Sequence, residues 1–80
     1  MNPRLRIEFD EAEGALLRML GLVERRGYQL GEVLRRGGIV EIELVPRDPS
    51  RRVEVIARQL ENLVDVRSIT ILPQPREVAR

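Results

Sequence analysis

Apolar and polar residues alternate one for one near the start of the chain, with Leu5, Ile7 and Phe9 set among Arg4, Arg6 and Glu8. A period of two is the pattern of a strand with one buried and one solvated face. The period then lengthens. Leu16, Met19, Leu20 and Val23 recur at i, i+3, i+4 and i+7 and form one helical stripe, with Leu17 and Leu22 off it. Asp10 and Glu13 have the spacing of a capping box, which would start the helix just after Asp10; a longer loop would start it nearer Gly14. Gly27 supplies the stop. Tyr28 to Arg35 reads as a second strand with a fault. Tyr28, Leu30 and Leu34 share one parity, Val33 breaks it and Gly31 weakens the run, and an edge strand bulged near Gly31 explains both.

Gly37-Gly38 signals a hairpin into a third strand. In that strand Val40, Ile42 and Leu44 face inward, while Glu41 and Glu43 face outward, within reach of Arg6. Asp48-Pro49 predicts the start of a second helix, Asp as N-cap and Pro at the first helical position. Its stripe is Val53, Ile56, Ala57, Leu60 and Leu63 or Val64, with Glu54 and Arg58 as an i,i+4 pair. Val64 to Leu72 reads as a last strand, with Ile69 and Ile71 in phase and Pro73 and Pro75 ending it. Strand, helix, strand, strand, helix, strand is the order of the α+β ferredoxin-like βαββαβ sandwich, a four-stranded antiparallel sheet with two helices on one face. One domain is expected over residues 1–72, with 73–80 as a flexible C-terminal tail.

Composition narrows what such a domain does. The 80 residues contain no cysteine and no histidine, which removes thiol and imidazole chemistry and the usual zinc and copper ligands. A copper chaperone of this fold would need Cys-x-x-Cys where this chain has Asp10-Glu11-Ala12-Glu13-Gly14. All 14 basic residues are arginine, yet the net charge is only +1. The aromatics are Phe9 and Tyr28, and Glu41 and Glu43 occupy the open sheet face where an RNA-binding module would stack bases. Neither nucleic acid nor membrane is therefore an expected partner, and a cytoplasmic location is expected. Asp10, Glu11 and Glu13 are explained by capping and the helix dipole, and Ser50 and Ser68 have no histidine to activate them. No catalytic residue and no metal site is expected. Gly14 stands out instead, because a residue without Cβ at a helix mouth lets a ligand approach the free N–H groups of the first turn.

The segment Phe9 to Leu20, with Glu13-Gly14-Ala15-Leu16 opening the helix, resembles the glycine-bearing loop of ACT domains, an amino-acid-binding regulatory fold. Val23-Glu24-Arg25-Arg26-Gly27-Tyr28 and Gln59-Leu60-Glu61-Asn62-Leu63-Val64-Asp65-Val66 resemble two segments of the small subunits of acetolactate synthase (acetohydroxyacid synthase), in the same order and over roughly residues 5–72. The resemblance is to the short form with a single ACT unit. It implies a non-catalytic regulatory subunit that binds and activates the catalytic large subunit in branched-chain amino acid biosynthesis. In many members it also conveys feedback inhibition by valine, leucine or isoleucine. Thiamine diphosphate, Mg²⁺ and FAD then belong to the large subunit, and no cofactor is expected in this chain. The effector-binding positions implied are Glu11, Glu13, Gly14, Ala15, Leu16, Gln29 and Leu30. Valine-responsive relatives have asparagine where this chain has Glu11 and Gln29. The resemblance also implies a homodimer joined through edge strands, with Tyr28 to Arg35 as the candidate edge. The other reading is a free-standing ACT-domain amino-acid sensor.

Overall fold

A computed structural model describes residues 2–73. The elements follow the expected order: β1 (Arg4–Phe9), α1 (Ala15–Arg25), β2 (Tyr28–Arg36), β3 (Ile39–Pro46), α2 (Val53–Glu61) and β4 (Val66–Leu72). All strand pairs are antiparallel, in the order β2-β3-β1-β4, so β2 and β4 are the edges. The expected tail lies, apart from Pro73, outside the described residues.

The two periodicities meet in one core. Leu5, Ile7 and Phe9 of β1 and Val40, Ile42 and Leu44 of β3 are buried, and Leu5 faces Ile42 while Ile7 faces Val40 across the pair. Ala15, Met19, Leu22 and Val23 of α1 and Ile56, Ala57 and Leu60 of α2 cover that face. Leu22, off the stripe in the sequence, is buried, whereas Leu17 is exposed. At the end of α2, Leu63 packs against the core and Val64 is exposed. On the open face Arg6 meets Glu41 at 3.2 Å, as the alternation predicts.

The bulge lies where Gly31 predicts it. Leu30 pairs with Leu44 and Val33 with Ile42, so β2 carries one extra residue there. That residue reverses the parity: Val33 and Arg35 then share the core face with Ile42 and Val40, and Leu34 joins Glu41 on the open face. The bulge has its own support. Glu43, expected opposite Arg6, accepts the Glu32 backbone N–H at 3.0 Å and the Asn2 side-chain amide at 3.2 Å. Its carboxylate occupies the space a Cβ on Gly31 would need, 2.5 Å from Oε1. Arg4 pairs with Glu32 at 3.0 Å.

Helix α1 starts at the later of the two positions the sequence offers, near Gly14, and α2 starts later than its pattern predicts. The Asp10–Glu13 capping box does not form: Asp10 pairs with Arg67 at 2.6 Å, and Gly14 is the N-cap, with φ 77°. Helix α2 begins at Val53 rather than Pro49. Asp48 accepts both the N–H and the hydroxyl of Ser50 at 2.9 Å, and Arg51 N–H returns to its carbonyl at 3.0 Å. The Asp side chain thus closes a turn and is no longer available to cap a helix.

Candidate functional site

The connections gather at two ends of the sandwich. At one end lie the β1–α1 loop, the β2–β3 hairpin and the α2–β4 junction, tied together by backbone bonds from Phe9 N–H to the Gly38 carbonyl (2.9 Å) and from Asp10 N–H to the Asp65 carbonyl (2.8 Å). Arg18 adds a link from α1, pairing with Asp65 and donating to the Glu13 carbonyl.

The left-handed conformation of Gly14 turns the chain sharply into α1. A helix start leaves four N–H groups without an intrahelical partner, that of the N-cap and the first three within the helix. Here Ala15 N–H reaches the Ala12 carbonyl at 3.0 Å, and the first intrahelical bond runs from Arg18 N–H to the Gly14 carbonyl at 2.9 Å. Those of Leu16 and Leu17 have no acceptor among the described residues. Both residues line a pocket of about 230 Å³, together with Phe9, Glu11, Gly14, Ala15 and Arg35 among others.

Arg35 is the residue that sequence reasoning missed at this site. Once the bulge brings it to the core side, its guanidinium lies 5.5 Å from the centre of the Phe9 ring, donates to the Gly37 carbonyl at 3.0 Å and pairs with Glu11 at 3.0 Å. Gly38 permits this closeness, since a Cβ there would stand 3.0 Å from the Phe9 carbonyl oxygen. The pocket rim therefore carries a carboxylate, a guanidinium and two unpaired amide donors. Such a set complements a zwitterion, with the ammonium at Glu11 and the carboxylate at Arg35 and the helix N-terminus.

Of the seven positions implied for effector binding, Glu11, Gly14, Ala15 and Leu16 line this pocket. Glu13 is exposed beside it and contributes its carbonyl to Arg18. Gln29 and Leu30 are not there. They sit at the start of β2, whereas Arg35 sits near its end, six positions on, about 20 Å at strand rise. Gln29 is exposed, and Leu30 packs against the core. Among the described residues no group of three or more Asp or Glu side chains is placed to hold a metal ion, and no helix is long and apolar enough to cross a membrane.

No curated protein matches the sequence significantly. Among solved structures, the fold is similar to the crystal structure of the ACT domain from GTP pyrophosphokinase of Chlorobium tepidum, with a TM-score of 0.71 over 88% of this chain and 95% of that one. The two share 12% sequence identity, so this likeness concerns the fold alone. The sequence model of the ACT domain matches residues 11–69, from the β1–α1 loop through most of β4. The chain belongs to the ACT domain family.

Proposed function

We propose that this ACT domain is a non-catalytic regulatory subunit that binds and activates the catalytic subunit of acetolactate synthase, and that its Gly14 loop takes a branched-chain amino acid. The first half rests on the sequence resemblance of Val23 to Tyr28 and Gln59 to Val66, whose spacing fits one ACT unit. The observation that carries the second half is the loop itself: two unpaired amides beside an ion pair of opposite charges, with Leu16 and Phe9 as apolar wall. Glu11 stands where valine-responsive relatives have asparagine and would repel an effector carboxylate by itself. Arg35 supplies the opposite charge 3.0 Å away, so a carboxylate is accepted on the arginine side.

A second copy completes the site in this reading. Among the described residues, β2 is paired on one side, by β3, and open on the other. Antiparallel pairing of two β2 strands about Glu32 would set Gln29 of one copy opposite Arg35 of the other, and Gln29 and Leu30 would then approach the second copy's loop. It would also cover an otherwise open edge. The test is an amide-shift titration with valine, leucine and isoleucine. Saturable shifts at Glu11 to Leu16 and at Gln29 support the site, and shifts at neither segment refute it. Reconstitution with the large subunit tests the activating role separately.

A further inference from the structure

The opposite end of the sandwich holds a second cavity, of about 320 Å³, between the turn after α1 and the connection into α2. Arg25, Arg26, Arg51 and Arg52 line it, and none of the four forms an ion pair among the described residues, although Arg4, Arg6, Arg18, Arg35 and Arg67 all do. Of the neighbouring carboxylates, Glu54 acts on Tyr28, and Asp48, within electrostatic reach of Arg51, is already engaged by Ser50. Four arginine side chains thus line one cavity in a chain whose net charge is only +1. The Arg51 guanidinium passes close to Gly27, where a Cβ would fall 2.5 Å from Nε.

An independent feature lies in the same wall. Tyr28 is 2% exposed, and its hydroxyl is buried without a hydrogen-bond partner among the described residues. A buried hydroxyl left unpaired is costly, and native proteins rarely leave one so. Burial is the main cause that raises the Tyr28 pKa above its ordinary 10.0, with Arg51 opposing and Glu54 reinforcing, so the phenol remains a donor. Gln59 Oε1, also in this wall, has no partner among the described residues, but as an acceptor it does not itself bind an anion, so the Tyr28 hydroxyl is the feature that points to one.

We propose that this cavity binds a small phosphate-bearing anion of at least two charges, held by the forks of Arg25, Arg26, Arg51 and Arg52 with the Tyr28 hydroxyl donating to it. Guanidinium forks match the oxygens of phosphate bidentately, and several forks around one ligand suit a tetrahedral, multiply charged group better than a planar carboxylate. The cavity lies beyond the C-terminal end of α1 and the effector-like loop before its N-terminal end, so the two sites are separate. The inference stands without the proposed amino-acid effector.

The test is calorimetric titration of the 80-residue chain with inorganic pyrophosphate, and in parallel with inorganic phosphate and citrate. The variants are Arg51→Gln/Arg52→Gln, which removes two forks, and Tyr28→Phe, which keeps the core volume and removes only the hydroxyl. The expected result is one saturable pyrophosphate site, with phosphate and citrate weaker. Affinity should fall roughly tenfold or more in the double arginine variant and severalfold in Tyr28→Phe. No saturable binding overturns the proposal, as does binding that both variants leave unchanged. Citrate binding as tightly as pyrophosphate overturns the assignment to phosphate.

Discussion

The Glu11 carboxylate and the Arg35 guanidinium meet at 3.0 Å across the mouth of the Gly14 loop, joining the first loop of the chain to the end of its edge strand. Both side chains are about half exposed, at 52% and 42%. An exposed pair of this kind contributes about 0.2–1 kcal/mol to stability. Glu11→Gln and Arg35→Gln should therefore change urea midpoints little. In the amino-acid titration Arg35→Gln should weaken binding roughly tenfold, the effect of losing a charge-assisted bond. A large loss of stability in either variant would mark the pair as structural instead.

Two glycines of the same region should respond oppositely to alanine. At Gly14, φ is 77°, a conformation that costs an L-residue about 1–2 kcal/mol. Gly21 lies inside α1 with an ordinary φ, and a Cβ there meets only the flexible tip of Arg25, at 3.3 Å. Urea unfolding should show Gly14→Ala destabilised by about that amount and Gly21→Ala stabilised by about 0.5–1 kcal/mol.

Glu43 links the bulge to pH. The Glu32 backbone N–H, then the Asn2 amide, hold its carboxyl below the ordinary 4.5, outweighing slight desolvation, and Arg4 adds to the effect. The folded state thus favours the ionised form. The contribution is complete above pH 4.5 and is lost as pH falls through the lower folded value. Glu43→Gln should flatten the acid limb of stability against pH while leaving the neutral limb parallel. Gly31→Ala should flatten it too, because the new Cβ displaces the carboxylate from the Glu32 N–H. An unchanged acid limb in both variants would contradict this role.

The core is small, so single truncations should be severe. Ile42 is fully buried and faces Leu5 on one side and Val33 on the other. Ile42→Ala should cost about 2–5 kcal/mol, a large part of the 5–15 kcal/mol typical of a domain. Thermal unfolding followed by circular dichroism would measure it.

The fold was legible in the sequence because most of its elements carry one clear period. Strands β1 and β3 alternate cleanly, and the stripes of both helices end on the shared core. Gly31 marked the bulge, and the misplaced Val33 showed that parity would change. The same change carries Arg35 to the core side, beside Phe9 and Glu11, a consequence that counting from Tyr28 without the bulge conceals. Cap signals were less dependable. Asp10 is drawn away by Arg67 and Asp48 by Ser50, long-range and turn contacts that compete with capping. Of the site, the loop was legible through Gly14, but the separation of Gln29 from it follows from the topology of β2. The arginine-lined cavity brings together residues 25, 26, 51 and 52, which only the packed fold makes neighbours.

The most direct measurement is acetolactate formation by a purified acetolactate synthase catalytic subunit from the same source, with and without this chain and with and without valine. A stoichiometric complex is expected, with a severalfold rise in activity that saturates with added chain. Arg35→Gln should weaken any valine response while activation is retained. No complex and no change in rate at saturating chain would contradict the assignment to this enzyme. The ACT fold would stand, its partner would not.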